Sequence, residues 1–239
     1  MHLVMFDIDG TLTRSNEVDA DCFAEAIEDV LKLPPIDRDW STYRRVTDSG
    51  ITAEIIETYS GRQPLNGELK SVRRRFVERL ERRLVDDPRL CRPVDGAAEM
   101  LEQLSNRGGV AIALATGGWE EPAKLKCRTA GLRVDRYAFA SADDSQSREE
   151  IMAIARIRAA GLYGVSTFDG FVYVGDGIWD WRASCALGVS FVGIAGGESA
   201  ELLRAAGAKS LLPDYMDYPR FVEMLGVNRD RWSSGREAH

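Results

Sequence analysis

The chain has 239 residues, 44% of them apolar and 29% charged, with a formal net charge of −7 at pH 7. That length allows one large or two modest domains, and the acidic balance argues against a nucleic-acid backbone as the principal partner. No apolar run approaches the roughly 20 residues needed to cross a bilayer. Met1-His2 leads straight into an apolar run with no secretory signal, so a cytoplasmic protein without membrane attachment is expected.

The first predicted element is a strand over residues 3–8, a short apolar run that closes on Asp7 and Asp9 and is followed at once by Gly10-Thr11. Residues 15–88 then read as helical. A helix over 18–33 carries Cys22, Ala26, Ile27, Val30 and Leu31 at helical spacing and stops at Pro34-Pro35. Residues 44–51 read as a polar loop that could face a substrate, with Arg45 and Asp48 as its best candidates. Helices over 51–59 and 67–85 follow. In the latter, Val72, Phe76, Leu80 and Leu84 recur every four residues and mark a buried stripe. Its arginines then form a solvated face, several pairing with Glu78 and Glu81.

From residue 89 onward, strands and helices alternate. Helices are predicted over 96–106, 121–130, 148–160 and 199–206. Strands are predicted over 110–115, 137–140, 171–174, 189–194 and 210–212. Continuous apolar runs suit parallel strands covered on both faces. The alternation gives an α/β fold, a doubly wound (Rossmann-like) parallel sheet. The expected division is a core of residues 1–14 and 89–227, a helical domain of 15–88 inserted after the first strand, and a flexible polar tail at 228–239.

Three strands end alike, on Asp7 and Asp9, on Thr116-Gly117-Gly118, and on Gly175-Asp176-Gly177. In open α/β sheets ligands bind outside those carboxyl ends. Carboxylates there are costly unless they hold a metal or do chemistry, and residues i and i+2 of a strand address one side, so Asp7 and Asp9 could serve one site. Asp176 and Asp180 suit Mg2+, which takes oxygen ligands. The Thr116 hydroxyl and the N–H groups beside Gly117 suit phosphate oxygens. Arg148, at a predicted helix start, is the chosen cation; Lys124 and Lys126 are rivals whose helix reads as solvated. The histidines, His2 and His239, are terminal, which excludes a zinc site and histidine acid–base chemistry. Cys22, Cys91, Cys127 and Cys185 lack C-x-x-C spacing and read as reduced thiols. Trp119, Trp179 and Trp181 are expected to pack beneath the site loops. No G-x-G-x-x-G or Walker sequence is present.

In chain order, D-x-D-G-T at 7–11, T-G at 116–117, a basic residue at 148 and G-D-x-x-x-D at 175–180 resemble the four motifs of the haloacid dehalogenase-like (HAD) superfamily. The resemblance is to its phosphatase branch with a type 1 helical cap. It implies phosphomonoester hydrolysis, with Asp7 as nucleophile and Asp9 as general acid and base. Asp7, Asp176, Asp180 and the backbone carbonyl of Asp9 would hold Mg2+. Gly10, Thr11, Thr116, Gly117 and Arg148 would surround the phosphate. An acid at position 9 separates phosphatases from the dehalogenases proper. Most relatives carry lysine where this chain has Arg148. The expected partner is a small phosphorylated substrate, and the expected state a monomer or homodimer. Alternatives are a phosphomutase on the same scaffold and a non-enzymatic phospho-acceptor or binding module.

Overall fold

A computed structural model describes residues 1–65 and 67–226. The expected tail at 228–239 lies outside the described residues. The elements are β1 (His2–Phe6), β2 (Thr13–Arg14), α1 (Asn16–Leu31), α2 (Asp48–Ser60), α3 (Glu68–Asp86), β3 (Arg92–Pro93), α4 (Ala97–Ser105), β4 (Val110–Ala115), α5 (Glu120–Thr129), β5 (Ala138–Ala140), α6 (Arg148–Tyr163), β6 (Gly170–Gly175), α7 (Ile178–Leu187), β7 (Ser190–Ile194), α8 (Gly197–Ala205), β8 (Leu211–Leu212) and α9 (Tyr218–Met224). No described helix is long and apolar enough to cross a membrane.

Six parallel strands form one sheet in the order β5-β4-β1-β6-β7-β8. β1 is central, with Phe6 opposite both Leu114 and Val174. The chain moves to one side of β1 for β4 and β5, then to the other for β6, β7 and β8. This makes the carboxyl end of β1 the switch point where such sheets open a crevice. Side chains alternate across the sheet. Val4, Phe6, Ile112, Leu114, Val172 and Val174 face a core shared with the helical segment, α4, α5 and α9. Leu3, Met5, Ala111, Ala113 and Tyr173 face the other layer, built on Ile151, Met152, Ala155 and Ala159 of α6.

β1 ends two residues earlier than expected. Asp7 still donates its N–H to the Val174 carbonyl at 2.9 Å. Beyond it the Ile8 carbonyl collects the N–H groups of Thr11, Leu12 and Thr13, a turn that Gly10 completes at φ +72°. Asp7 is therefore the last group in register, and Asp9 belongs to the turn. The two-residue strands β2 and β3 are too short to leave a periodic signal. α9 was also missed; its signal is the Asp217 side chain, which accepts the Arg220 N–H at 3.0 Å ahead of the first apolar residue.

α1, α2 and α3 lie between β2 and β3. The stripe Val72, Phe76, Leu80 and Leu84 is buried as expected, each side chain worth about 1.5–3 kcal/mol on transfer from water. Phe76 meets Phe23 of α1 with ring centroids 5.5 Å apart and Trp119, beside the sheet, at 6.4 Å. The arginines of α3 pair chiefly with α1: Arg75 with Asp29, Arg79 with Glu25 and Asp29, and Arg83 with Glu25. Arg74 and Arg75 also reach Glu78. Among the described residues, no arginine pairs with the expected partner Glu81.

Cys22, Cys91 and Cys127 are buried and Cys185 is exposed. Burial pushes the Cys22 thiol up to about 11 and those of Cys91 and Cys127 to about 12. Titration of the native protein with a thiol-reactive chromophore at pH 8 is expected to show one fast thiol, with the other three reacting only after unfolding.

Candidate active site

The carboxyl ends of β1, β4 and β6 converge on one pocket. Asp7 follows β1, Thr116 follows β4, Asp176 follows β6, and Asp180 lies in the first turn of α7. One carboxylate oxygen from each of Asp7, Asp176 and Asp180 lies within 4.8 Å of the others. Asp180 is fixed by its own loop: Oδ2 accepts the N–H groups of Asp176 and Gly177 at 3.2 and 3.0 Å. Gly10 makes room for the cluster, since a Cβ there would fall 1.8 Å from Asp176 Oδ2.

Arg148 opens α6, capped by the Ser147 hydroxyl, which accepts the Glu150 N–H at 3.3 Å. Its Nη1 donates to Asp180 Oδ1 at 2.8 Å and lies 3.6 Å from Asp7 Oδ1. Its Nη2 donates to the Val46 carbonyl at 3.0 Å. A Cβ on Gly117 would come within 2.2 Å of that Nη2. Arg148 thus depends on the glycine after Thr116. Thr116 is buried, and its Oγ1 accepts the Gly118 N–H at 3.1 Å.

Two buried carboxylates, Asp7 and Asp180, share one guanidinium beside the half-buried Asp176, and their acidities reflect it. Burial holds the Asp7 carboxyl well above the usual carboxylate range, and Asp180 adds to the push. Burial, with Asp180 beside it, raises Asp176 to about 8, and burial also raises Asp180. Asp7 Oδ1 is buried without a hydrogen-bond partner. An unpartnered carboxylate oxygen among two further carboxylates suits a divalent cation, held by Asp7, Asp176 and Asp180. The Asp9 side chain points elsewhere. Its Oδ1 accepts the Ser15 hydroxyl at 2.5 Å, and its Oδ2 accepts Lys126 Nζ at 2.6 Å.

Lys126 differs most from its sequence reading. It is 1% exposed and donates to both Asp9 and Asp19. Burial pulls its ammonium down, but Asp19 and Asp9 more than reverse this and raise it above the usual lysine range. The missed signal is positional. Ala123, Lys126, Cys127 and Ala130 follow i, i+3, i+4, i+7, which puts Lys126 on the buried stripe of α5 rather than on a solvated face. Lys124 does face outward, 2.6 Å from Glu120. Asp19 was missed for the same reason: it precedes Cys22, Phe23 and Ala26 on the inner stripe of α1.

Gly10 and Thr11 do not line the pocket. Thr11 is buried beneath the turn, its hydroxyl without a partner among the described residues, and Gly10 lies against Asp176. Asp48 does line the pocket, and it begins α2 rather than lying in a loop. Its Oδ2 accepts the Trp119 N–H at 2.8 Å, and its own N–H donates to the Gly117 carbonyl at 2.8 Å. Arg45 turns instead to Gln146, at 2.7 Å. Trp179 is on the pocket wall, Trp119 packs on Phe23, and Trp181 packs on Phe191.

Replacing Lys126 with methionine leaves two carboxylates facing each other without their cation. It is expected to cost about 3 kcal/mol in denaturant unfolding, whereas Lys124→Met changes stability by no more than about 0.5 kcal/mol.

Comparison with known proteins agrees with this architecture. The hydrolase from Pseudomonas syringae superimposes with a TM-score of 0.71 at 21% identity, covering 93% of this chain and 98% of that one. A putative beta-phosphoglucomutase from Bacteroides vulgatus gives 0.67 at 17% identity, over 95% and 89%. A predicted phosphoglycolate phosphatase from Haemophilus somnus gives 0.57 at 18% identity, over 92% and 97%. At these identities the likeness is one of fold. No curated protein matches the chain. The family model of the haloacid dehalogenase-like hydrolases matches residues 1–188, and with its motifs gathered at one pocket the chain belongs to that family.

Proposed function

We propose that this hydrolase is a Mg2+-dependent phosphatase of small phosphomonoesters, working through an aspartyl-phosphate on Asp7. The observation that carries the reading is Asp7 itself, a buried carboxylate with an unpartnered oxygen, faced by Arg148 at 3.6 Å and opening on the pocket. In the first step an Asp7 oxygen bonds to phosphorus, the bond to the leaving oxygen breaks, and Asp9 gives that oxygen a proton. In the second step water bonds to phosphorus, loses its proton to Asp9, and the Asp7–phosphorus bond breaks. Arg148 offsets charge on the phosphoryl oxygens, and the Thr116 hydroxyl with the Gly117 N–H supplies donors to them. Ser15 and Lys126 fix the orientation of the Asp9 side chain for this proton transfer. A bound Mg2+ would lower the repulsion between Asp7 and an anionic phosphate.

Residues 15–88 act in this reading as a cap over the core of 1–14 and 89–227, excluding water during transfer. Four hydrogen bonds support a closed arrangement, from the Asp48 N–H to Gly117, from Trp119 to Asp48, from Thr47 to Gln146 and from Arg148 to Val46. The pocket volume, about 110 Å³, favours a small leaving group. The protein would act in the cytoplasm as a monomer or homodimer.

Phosphate release from a panel of small phosphomonoesters tests the assignment. Release is expected to require Mg2+ and to fall at least about a thousandfold in Asp7→Asn; Asp9→Asn should fall about 10²–10⁴-fold. Unchanged release in Asp7→Asn would sink it, and release only in the presence of a sugar bisphosphate would point to a mutase.

The metal assignment has its own pH signature. Asp176 sits near 8, above its ordinary value, so its ionisation costs the folded protein stability as pH rises toward and through 8. A cation binds the ionised form and removes that cost. The rise in melting temperature produced by Mg2+ should therefore be larger at pH 8.5 than at pH 6. At a hundredfold excess over the dissociation constant it corresponds to about 2.7 kcal/mol, or about 5–10 °C for a chain of this size. Asp176→Asn should abolish it.

A further inference from the structure

The half of the pocket away from the metal cluster is formed by the helical segment and the Asp9 turn. Asp19, Phe23, Trp40 and Asp48 line it. Asp48 is 8% exposed. Among the described residues its carboxylate accepts one hydrogen bond, from Trp119, and no ion pair reaches it. A Cβ built on Gly118 would lie 3.7 Å from Asp48 Oδ2 and 3.8 Å from Asp9 Oδ2, so the two carboxylates flank one spot. A leaving oxygen protonated by Asp9 would carry its substituent directly to Asp48.

Cations that could offset a negative substituent are engaged elsewhere. Lys126 lies behind the wall, donating to Asp9 and Asp19. Arg148 is on the metal side, against Asp180 and Asp7. The arginines of α3 pair chiefly with α1, and Arg45, outside the pocket lining, donates to the neutral amide of Gln146. Among the described residues, Arg148 is the one Lys or Arg that lines the pocket. A second phosphate or a carboxylate on the substrate would meet the carboxyl groups of Asp9, Asp19 and Asp48 against the single buried ammonium of Lys126, an arrangement that disfavours such ligands.

We propose that Asp48 selects the leaving group, and that the group carries a hydrogen-bond donor and no negative charge of its own. The proposal rests on the phosphatase reading above for the position of the leaving oxygen. A hydroxyl and an ammonium both supply the donor. Phe23 and Trp40 offer either one an apolar or π-rich wall. The substrate class is then a monophosphate of a small polyol or amino alcohol; phosphorylated carboxylic acids and bisphosphates are excluded.

The test measures binding, so it does not depend on turnover. Asp7→Asn protein with Mg2+ is titrated calorimetrically with glycerol 3-phosphate, O-phosphoethanolamine, 2-phosphoglycolate and 3-phosphoglycerate. At least one of the first two is expected to bind ten times or more tighter than either carboxylate compound. Which of the two binds tighter identifies the donor as hydroxyl or ammonium. Adding Asp48→Asn, which keeps the acceptor for Trp119 and removes the acidic group, should reduce that preference at least tenfold. A preference for 2-phosphoglycolate or 3-phosphoglycerate, no binding of the first two, or a preference unchanged by Asp48→Asn would overturn the proposal. Binding with the expected preference but no phosphate release by the wild-type protein would overturn the phosphatase reading alone.

Discussion

Six aspartates, Asp7, Asp9, Asp19, Asp48, Asp176 and Asp180, gather at one end of the sheet around two buried cations, Arg148 and Lys126. Asp7, Asp48 and Asp180 are buried and the other three half-buried; carboxylates in that excess oppose folding, and the surrounding structure is organised to tolerate them. Asp180 is held by two backbone N–H groups and a guanidinium, Asp9 by a hydroxyl and an ammonium, and Asp48 by one backbone N–H. Asp7 and Asp176 are the least satisfied, with Asn16 as the side-chain donor to Asp176 at 3.1 Å. The imbalance is greatest where a divalent cation is expected, and the sheet, helix termini and glycines serve to hold that unfavourable charge in one geometry.

The two cations divide the pocket. Arg148 takes the side of Asp7 and Asp180, and Lys126 takes the side of Asp9 and Asp19. Each is anchored from a different layer, Arg148 at the head of α6 and Lys126 on the buried stripe of α5. Their unequal shapes fit these roles. The planar guanidinium of Arg148 spans Asp180, Asp7 and a backbone carbonyl at once, while the ammonium of Lys126 concentrates its charge between two carboxylates.

The parts of this arrangement legible in the sequence were those with a local signature. An apolar run cut short by Asp7, the Thr116-Gly117 turn and the Asp176–Asp180 spacing each announce a strand end, and three strand ends in one parallel sheet must lie together. Arg148 was legible through its position at a helix start. Lys126 and Asp19 were not, although each sits on an apolar helical stripe. A charge at a buried position is normally read as an error in the stripe, because its partner lies more than a hundred residues away; Lys126 and Asp9 illustrate this. Thr11 shows the other side of this: its place in the motif suggests contact with phosphate, and its side chain lies buried under the turn closed by the Ile8 carbonyl.

The peptide units around Gly117 carry two demands at once. Its carbonyl receives the Asp48 N–H, while its missing side chain admits Arg148, which in turn grasps Val46. The helical segment is thus fastened to the same few atoms that face the reacting group. A displacement of residues 46–48 would remove the Val46 acceptor from Arg148 and leave its guanidinium to Asp180 and Asp7. In the proposed reaction, the cover over the pocket and the placing of its guanidinium would thus depend on one short stretch of backbone.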